Sequence, residues 1–185
     1  MSRGRTILKE KPFNLTLERL SHQIIETYTD FTEVCIIGIQ ERGVVLAERL
    51  LHLIKKNAKQ KDITFGKLDI TFYRDDFRSR EIPLKASSTD IDFSIDGKKI
   101  ILVDDVLYTG RSVHAAMSAL QDHGRASTIE LVCLVDRRFN RHLPIKADYV
   151  GITVDSIDEA YVKVEWAHVD GADKVLLFTP KREQL

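Results

Sequence analysis

Ile100-Ile-Leu-Val-Asp104-Asp105-Val-Leu-Tyr-Thr-Gly110-Arg-Ser112 is the stretch whose reading decides the fold. Residues 100–103 are unbroken apolar residues, the pattern of a strand buried on both faces of a parallel sheet. Two adjacent carboxylates follow, then a Gly/Thr/Ser turn. Val113, Ala116, Met117 and Leu120 then recur at the spacing of one helical face. The reading is a strand at 99–103, a loop of phosphate size, and a helix with Thr109 as its N-cap. In open α/β sheets ligands sit beyond the carboxyl ends of the strands. The first N–H groups of a helix have no partner inside it, and the helix dipole favours an anion there. Asp104 and Asp105 would repel a phosphate. They suit sugar hydroxyls or a hydrated Mg²⁺ instead. The bland alternative is a solvated strand end followed by a capped helix.

Outward from this stretch, strands and helices alternate. The periodicity predicts a helix over 14–30 with Leu17, Leu20, Ile24 and Tyr28 on one face, and a buried strand over Val34–Ile39. A second helix over 43–57 buries Ala47, Leu50, Leu51 and Ile54. Residues 66–73 alternate as a half-buried or edge strand. Residues 74–93 are polar and aperiodic, a length that favours a lid or binding loop. Asp96-Gly97 marks a tight turn. Further strands are expected at 128–135, 147–152, 161–166 and 174–178. Alternation of this kind gives an α/β fold around a central parallel sheet.

Composition sets bounds. The chain has 185 residues, 43% of them hydrophobic and 30% charged, ordinary for a soluble globular protein. That length fits one domain on a prior of ~150 residues each. Lys+Arg and Asp+Glu both total 28, so no overall basic field draws in nucleic acid. No apolar run reaches the ~18 residues of a membrane span, and the amino terminus lacks the apolar core of a secretion signal. A cytoplasmic location is expected. Cys35 and Cys133 each lie in an apolar run and read as buried free thiols.

The run Val103–Ser112 resembles the phosphoribosyl-diphosphate (PRPP) signature of type I phosphoribosyltransferases. Its Asp-Asp-Val-Leu-Tyr-Thr-Gly-Arg form resembles the PyrR family, pyrimidine operon regulators that also act as uracil phosphoribosyltransferases. Gly38-Ile-Gln-Glu-Arg-Gly43 is similar to that family's pyrophosphate loop. Asp69-Ile-Thr-Phe-Tyr-Arg-Asp-Asp76 is similar to the strand leading into its active-site flap. Leu134-Val-Asp-Arg137 and Leu143-Pro-Ile-Lys-Ala-Asp-Tyr-Val-Gly151 resemble its region near the base. The segments fall in the family's order over roughly residues 7–178.

The resemblance implies one phosphoribosyltransferase domain over 1–185, with a parallel sheet flanked by helices, a small hood, and a mobile flap at about 74–93. It implies conversion of uracil and PRPP to UMP and pyrophosphate with Mg²⁺. Asp104 and Asp105 take the ribose hydroxyls and the Mg²⁺. Leu107, Tyr108, Thr109, Gly110, Arg111 and Ser112 cradle the 5′-phosphate, and Gln40, Glu41, Arg42 and Gly43 bind the pyrophosphate. A non-proline cis peptide belongs in that second loop, where Glu41 departs from the smaller, uncharged residue expected. Arg74, Asp75 and Asp76 open the flap, while Arg78 and Arg80 read better as solvated loop. Asp136 and Arg137 border the base pocket or form a structural ion pair. No nucleophile–base–orienter trio is present, and none is needed where positioning and electrostatics carry the reaction.

The resemblance also implies binding of pyrimidine-operon leader RNA, which requires a basic face. Arg19, His22, Arg138 and Arg141 are the candidates. Glu18 and the acidic segment Thr153-Val-Asp-Ser-Ile-Asp-Glu159 argue against it. Three readings therefore stand: a uracil phosphoribosyltransferase, a purine or hypoxanthine phosphoribosyltransferase, and an RNA-binding attenuator as the main role. A dimer or larger homo-oligomer is expected from the resemblance alone.

Overall fold

The computed structural model describes residues 4–60, 62–75, 86–155 and 160–179. Its elements are β1 (Arg5–Leu8), α1 (Glu10–Thr27), β2 (Val34–Ile39), α2 (Arg42–Ala58), β3 (Thr64–Leu68), β4 (Lys99–Leu107), α3 (Arg111–Leu120), β5 (Thr128–Arg138), β6 (Tyr149–Asp155), β7 (Tyr161–Glu165), α4 (Ala167–Asp170) and β8 (Lys174–Phe178).

Five strands form a parallel sheet in the order β3-β2-β4-β5-β6. Both faces are covered, so successive residues of the inner strands bury to opposite sides. Ile36 of β2, Ile101 and Val103 of β4, and Val132 and Leu134 of β5 join the core beneath α1 and α2. Ile37, Ile100, Leu102 and Cys133 join the core beneath α3. This two-sided burial is why these strands read as continuous apolar runs. Cys35 and Cys133 are buried free thiols, as expected. The expected α/β architecture with a central parallel sheet is the one observed.

The order reverses between β2 and β4. From β2 the chain steps outward to β3, then returns to lay β4 on the other side of β2. The two carboxyl ends diverge there and leave a crevice, the topological switch point where such sheets bind ligands.

A second, antiparallel sheet of β1, β8 and β7 forms the small hood. It docks through Trp166, which is fully buried and meets Phe13 of α1 edge-to-face at 5.3 Å. The Arg49 guanidinium lies over both rings, donating to Asp173 at 2.6 Å and to Asn14 at 2.7 Å.

Several boundaries differ from the sequence reading. Helix α1 begins at Glu10 rather than 14, because Pro12 falls in its first turn, where a missing N–H costs nothing. Strand β3 ends at Leu68 rather than 73. Asp69 Oδ1 accepts from the Thr71 N–H at 2.9 Å and its hydroxyl at 2.6 Å, turning the chain into a short 3₁₀ segment at Thr71–Tyr73. Strand β4 runs past the acidic pair to Leu107, since its ladder with β5 continues through Val106 and Leu107. The N-cap of α3 is Gly110 at φ 90°, not Thr109. Of the expected flap, Asp76, Arg78 and Arg80 lie outside the described residues.

Candidate functional site

A cavity of about 610 Å³ opens at the switch point, lined by β2, β4 and the segment after β3. From β2 come Ile39 and the turn Gln40, Glu41 and Arg42; from β4 come Asp104 and Asp105; Ser112 comes from the first turn of α3. Asp69, Ile70, Thr71, Arg74 and Ser87 complete the wall.

Two glycines bring the walls together. A Cβ on Gly43 would lie 2.5 Å from the Val103 carbonyl oxygen and 3.1 Å from Asp104 Cα. One on Gly38 would lie 2.6 Å from Val44 Cα. Only glycine at both positions lets the amino end of α2 sit directly against β2 and β4. The Gln40–Glu41 peptide is cis, the non-proline cis bond expected in this loop.

Asp104 and Asp105 are half-buried on the cavity floor. Both carboxyls titrate above their ordinary 3.8. Loss of solvation is the main cause for each, and the neighbouring Asp105 charge adds to it for Asp104. The Arg42 guanidinium pulls Asp105 back down, and Arg74 does the same to Asp104. The pair is thus a patch of poorly solvated negative charge that a cation or hydroxyl donors relieve. Among the described residues no group of three His, Cys, Asp or Glu side chains could cage a metal. Two carboxylates facing an open cavity nonetheless suit Mg²⁺, which takes one or two carboxylates and completes its shell with phosphate oxygens and water.

Arg42 reaches the cavity rim while anchored in the hood. It donates to the Val164 carbonyl at 2.7 Å and to Asp170 at 3.2 and 3.4 Å. That contact holds the Asp170 carboxyl below its usual range. Gln40 Nε2 donates to the Ser88 carbonyl at 3.0 Å, and the Ser87 N–H to Asp69 Oδ2 at 2.8 Å. Asp69 therefore holds both the segment after β3 and the chain at 87. Asp69 opens the segment that resembles the strand into the flap, and an Asp two residues before a Thr is also a recognisable turn signal.

The turn between β4 and α3 is short, residues 108–110. Leu107 is buried in the core and offers only its backbone. The Tyr108 ring stacks on the Arg137 guanidinium, 3.8 Å from ring centroid to Cζ. Arg74 Nη1 lies 3.4 Å from Ser112 Oγ, and Arg111 pairs with Asp75. Thus 74, 75, 111 and 112, which are far apart in sequence, meet at one mouth of the cavity.

The remaining candidates sit elsewhere. Arg137 is buried and donates to the Ala160 carbonyl at 2.6 Å. Asp136 forms an ion pair with Arg141, which also donates to the Tyr108 carbonyl. Arg138 pairs with Asp155 through two 2.7 Å contacts. Arg19 donates to the Gly151 and Val150 carbonyls at 2.5 and 3.2 Å, and exposed His22 contacts the Glu18 carbonyl at 2.9 Å. Arg19, His22, Arg138 and Arg141, the four candidates for a basic face, are distributed over separate contacts. Part of the acidic segment, residues 156–159, lies outside the described residues. Among the described residues no helix is long and apolar enough to cross a membrane.

Residues 4–168 match the family described as the phosphoribosyl transferase domain. The chain is 43% identical over 170 residues to a bifunctional protein PyrR from Elusimicrobium minutum, covering 92% of this chain and 94% of that one. It is 43% identical over 180 residues to a protein of the same name from Desulfosudis oleivorans, with 97% and 99% covered. Among solved structures, a hypoxanthine-guanine phosphoribosyltransferase from Bacillus anthracis superposes with a TM-score of 0.71 at 20% identity, covering 97% of this chain and all (100%) of that one. A hypoxanthine phosphoribosyltransferase from Staphylococcus aureus gives 0.70 at 20% identity over 95% and 93%. At this identity the structural likeness speaks for the fold.

Proposed function

The chain belongs to the phosphoribosyl transferase domain family, in the company of PyrR proteins, and from that premise we propose that it transfers the phosphoribosyl group of PRPP to uracil, releasing UMP and pyrophosphate. The observation that carries this reading is one cavity lined by two poorly solvated carboxylates near the carboxyl end of β4 and by Ser112 in the first turn of α3, just past the short turn at 108–110. One end matches a sugar diol under developing positive charge, the other a phosphate.

In this reading the 5′-phosphate sits against the backbone N–H groups of residues 108–112 and the Ser112 and Thr109 hydroxyls. Asp104 and Asp105 accept hydrogen bonds from the ribose hydroxyls. Their charge favours the oxocarbenium character that grows at the anomeric carbon as the pyrophosphate bond breaks. The turn from Gln40 to Gly43 receives the departing pyrophosphate, with Arg42 supplying positive charge at the rim. Arg74 and Asp75, joined to Ser112 and Arg111, begin the segment that closes over the bound substrate and excludes water. Asp104 and Asp105 are the residues that would hold a Mg²⁺ ion, which would supply charge neutralisation for the leaving group. Uracil lies towards the ends of β5 and β6, near Asp136 and Arg137. The reaction takes place in the cytoplasm, in a homo-oligomeric protein.

The test is product analysis. Purified protein with PRPP, Mg²⁺ and an equimolar mixture of uracil and hypoxanthine is expected to yield UMP. Formation of IMP without UMP would reassign the base and leave the PRPP site standing. Regulation by leader RNA is supported by the word bifunctional in the relatives' names. Against it stand the ion pairs that Arg138 and Arg141 already make. A gel shift with pyrimidine-operon leader RNA at low salt is expected to show no retarded band.

A further inference from the structure

The crossover from β5 to β6 has no helix. Residues 139–148 instead pass across the tip of the β4–α3 turn. The contacts there share one direction. Arg141 donates to the Tyr108 carbonyl. The His142 and Leu143 N–H groups donate to the Thr109 carbonyl at 3.0 and 3.2 Å. Two consecutive carbonyls of the turn are thus held by one neighbouring segment.

This fixes where the amides face. The 108–109 and 109–110 peptides are trans, since the cis bond of the described chain lies at Gln40–Glu41. In a trans peptide the carbonyl and the following N–H point in opposite directions. With the Tyr108 and Thr109 carbonyls turned onto residues 141–143, the N–H groups of Thr109 and Gly110 point away from that segment. Among the described residues neither N–H meets an acceptor. A reversed peptide would present a carbonyl oxygen to the anion instead.

Arg141 has the shape for this task. One guanidinium nitrogen takes the Tyr108 carbonyl and the other takes Asp136 at the end of β5. The side chains of Arg141 and Asp136 are only 22% and 16% exposed. A planar fork can hold two acceptors at a set separation, which an ammonium cannot.

We infer that Arg141 is a positioning residue for the phosphate-binding turn, holding the Tyr108 carbonyl outward so that the Thr109 and Gly110 amides face the ligand. The inference rests on the PRPP reading above and deepens it. It moves Arg141 from a surface contact for nucleic acid to a residue that acts through the turn backbone.

The experiment uses the full chain with Arg141→Met and Arg141→Lys. In steady-state UMP synthesis, Arg141→Met raises the KM for PRPP at least tenfold and leaves the KM for uracil within twofold. Arg141→Lys falls between the two, because one donor still reaches the carbonyl. In parallel, ribose 5-phosphate is titrated into ¹⁵N-labelled protein. The Gly110 amide resonance moves in the wild type, and Arg141→Met needs at least tenfold more ligand for the same movement. A PRPP KM and a Gly110 titration both within twofold of wild type overturn the inference while the PRPP site stands. A wild-type Gly110 resonance that ignores ribose 5-phosphate overturns the ligand assignment and the inference together. Should Arg141→Met fail to fold, Arg141→Lys decides on the same two readouts.

Discussion

Asp104 and Asp105 carry opposite demands at the level of single residues. Their poor solvation makes them costly to ionise when the cavity holds only solvent, and that same property suits them to cationic character in a ligand. The sign of the pH effect follows. A carboxyl whose pKa is higher in the folded chain than the ordinary 3.8 binds more protons folded than unfolded. Between that value and the raised one, stability falls as pH rises. Asp104→Asn with Asp105→Asn is therefore expected to lower turnover on the order of 10³-fold. The same double variant melts at a higher temperature than wild type at pH 8, and the gain shrinks as the pH approaches 4. Thermal melts across that range, beside UMP assays, check both. A variant that loses activity without gaining stability at pH 8 contradicts the electrostatic account. Asp170 is a quieter case. It does not line the cavity itself, yet it holds Arg42, which does. Asp170→Asn is expected to raise the PRPP KM by roughly a factor of five, the scale of a partly exposed ion pair worth about 1 kcal/mol. Uracil KM serves as the internal control.

The elements differ in how plainly the sequence announced them. Val34–Ile39 is legible to the residue because both faces are buried and the apolar run has clean ends. Strand β4 extends beyond its apolar run, since the unbroken hydrophobicity stops at Val103 while the backbone ladder with β5 continues through the acidic pair. Hydrogen bonding between main chains leaves no trace in side-chain polarity. Strand β3 is shorter than its pattern for the converse reason. Alternation persists through Phe72, yet Asp69 caps a turn and leaves Phe72 68% exposed. Strand β1 has four residues, too few for a period to show. Within the site, the loops that line it were legible as motifs. Asp69, Ser87 and the fork of Arg141 were not, because their partners lie far off in sequence. Close approach of elements yields a prediction of its own. Gly43→Ala places a methyl against the Val103 carbonyl and Asp104 Cα, where neither can move far. It is expected to cost about 1–3 kcal/mol, as overpacking does, and to reduce kcat by shifting the carboxylates. Denaturant titration and single-turnover rates measure the two effects.

For the whole molecule, the sheet order sets the site and the hood closes one side of it. Both termini of the described chain contribute, β1 and β8 pairing side by side. The hood is coupled to the sheet domain's helices through Phe13, Trp166 and Arg49, and to the cavity through Arg42. Phe13→Ala removes a fully buried ring from that junction. It is expected to destabilise the protein by about 3–5 kcal/mol, seen as a lower denaturation midpoint. Saturating PRPP should recover part of the loss, since a ligand at a hundred times its Kd contributes about 2.7 kcal/mol. The position of the hood was the part least visible in the pattern of residues, for its contacts join the two ends of the chain.

Cys35 of β2 and Cys133 of β5 lie on strands flanking β4, both beneath α3, with 1% and 0% exposure, and burial raises both thiol pKa values. Neither can be alkylated while the sheet is intact. The protein therefore carries an internal clock. Under native conditions a maleimide or iodoacetamide is consumed only as fast as the centre of the molecule opens, and PRPP should slow that consumption. Rapid labelling of native protein would show that the core breathes without global unfolding.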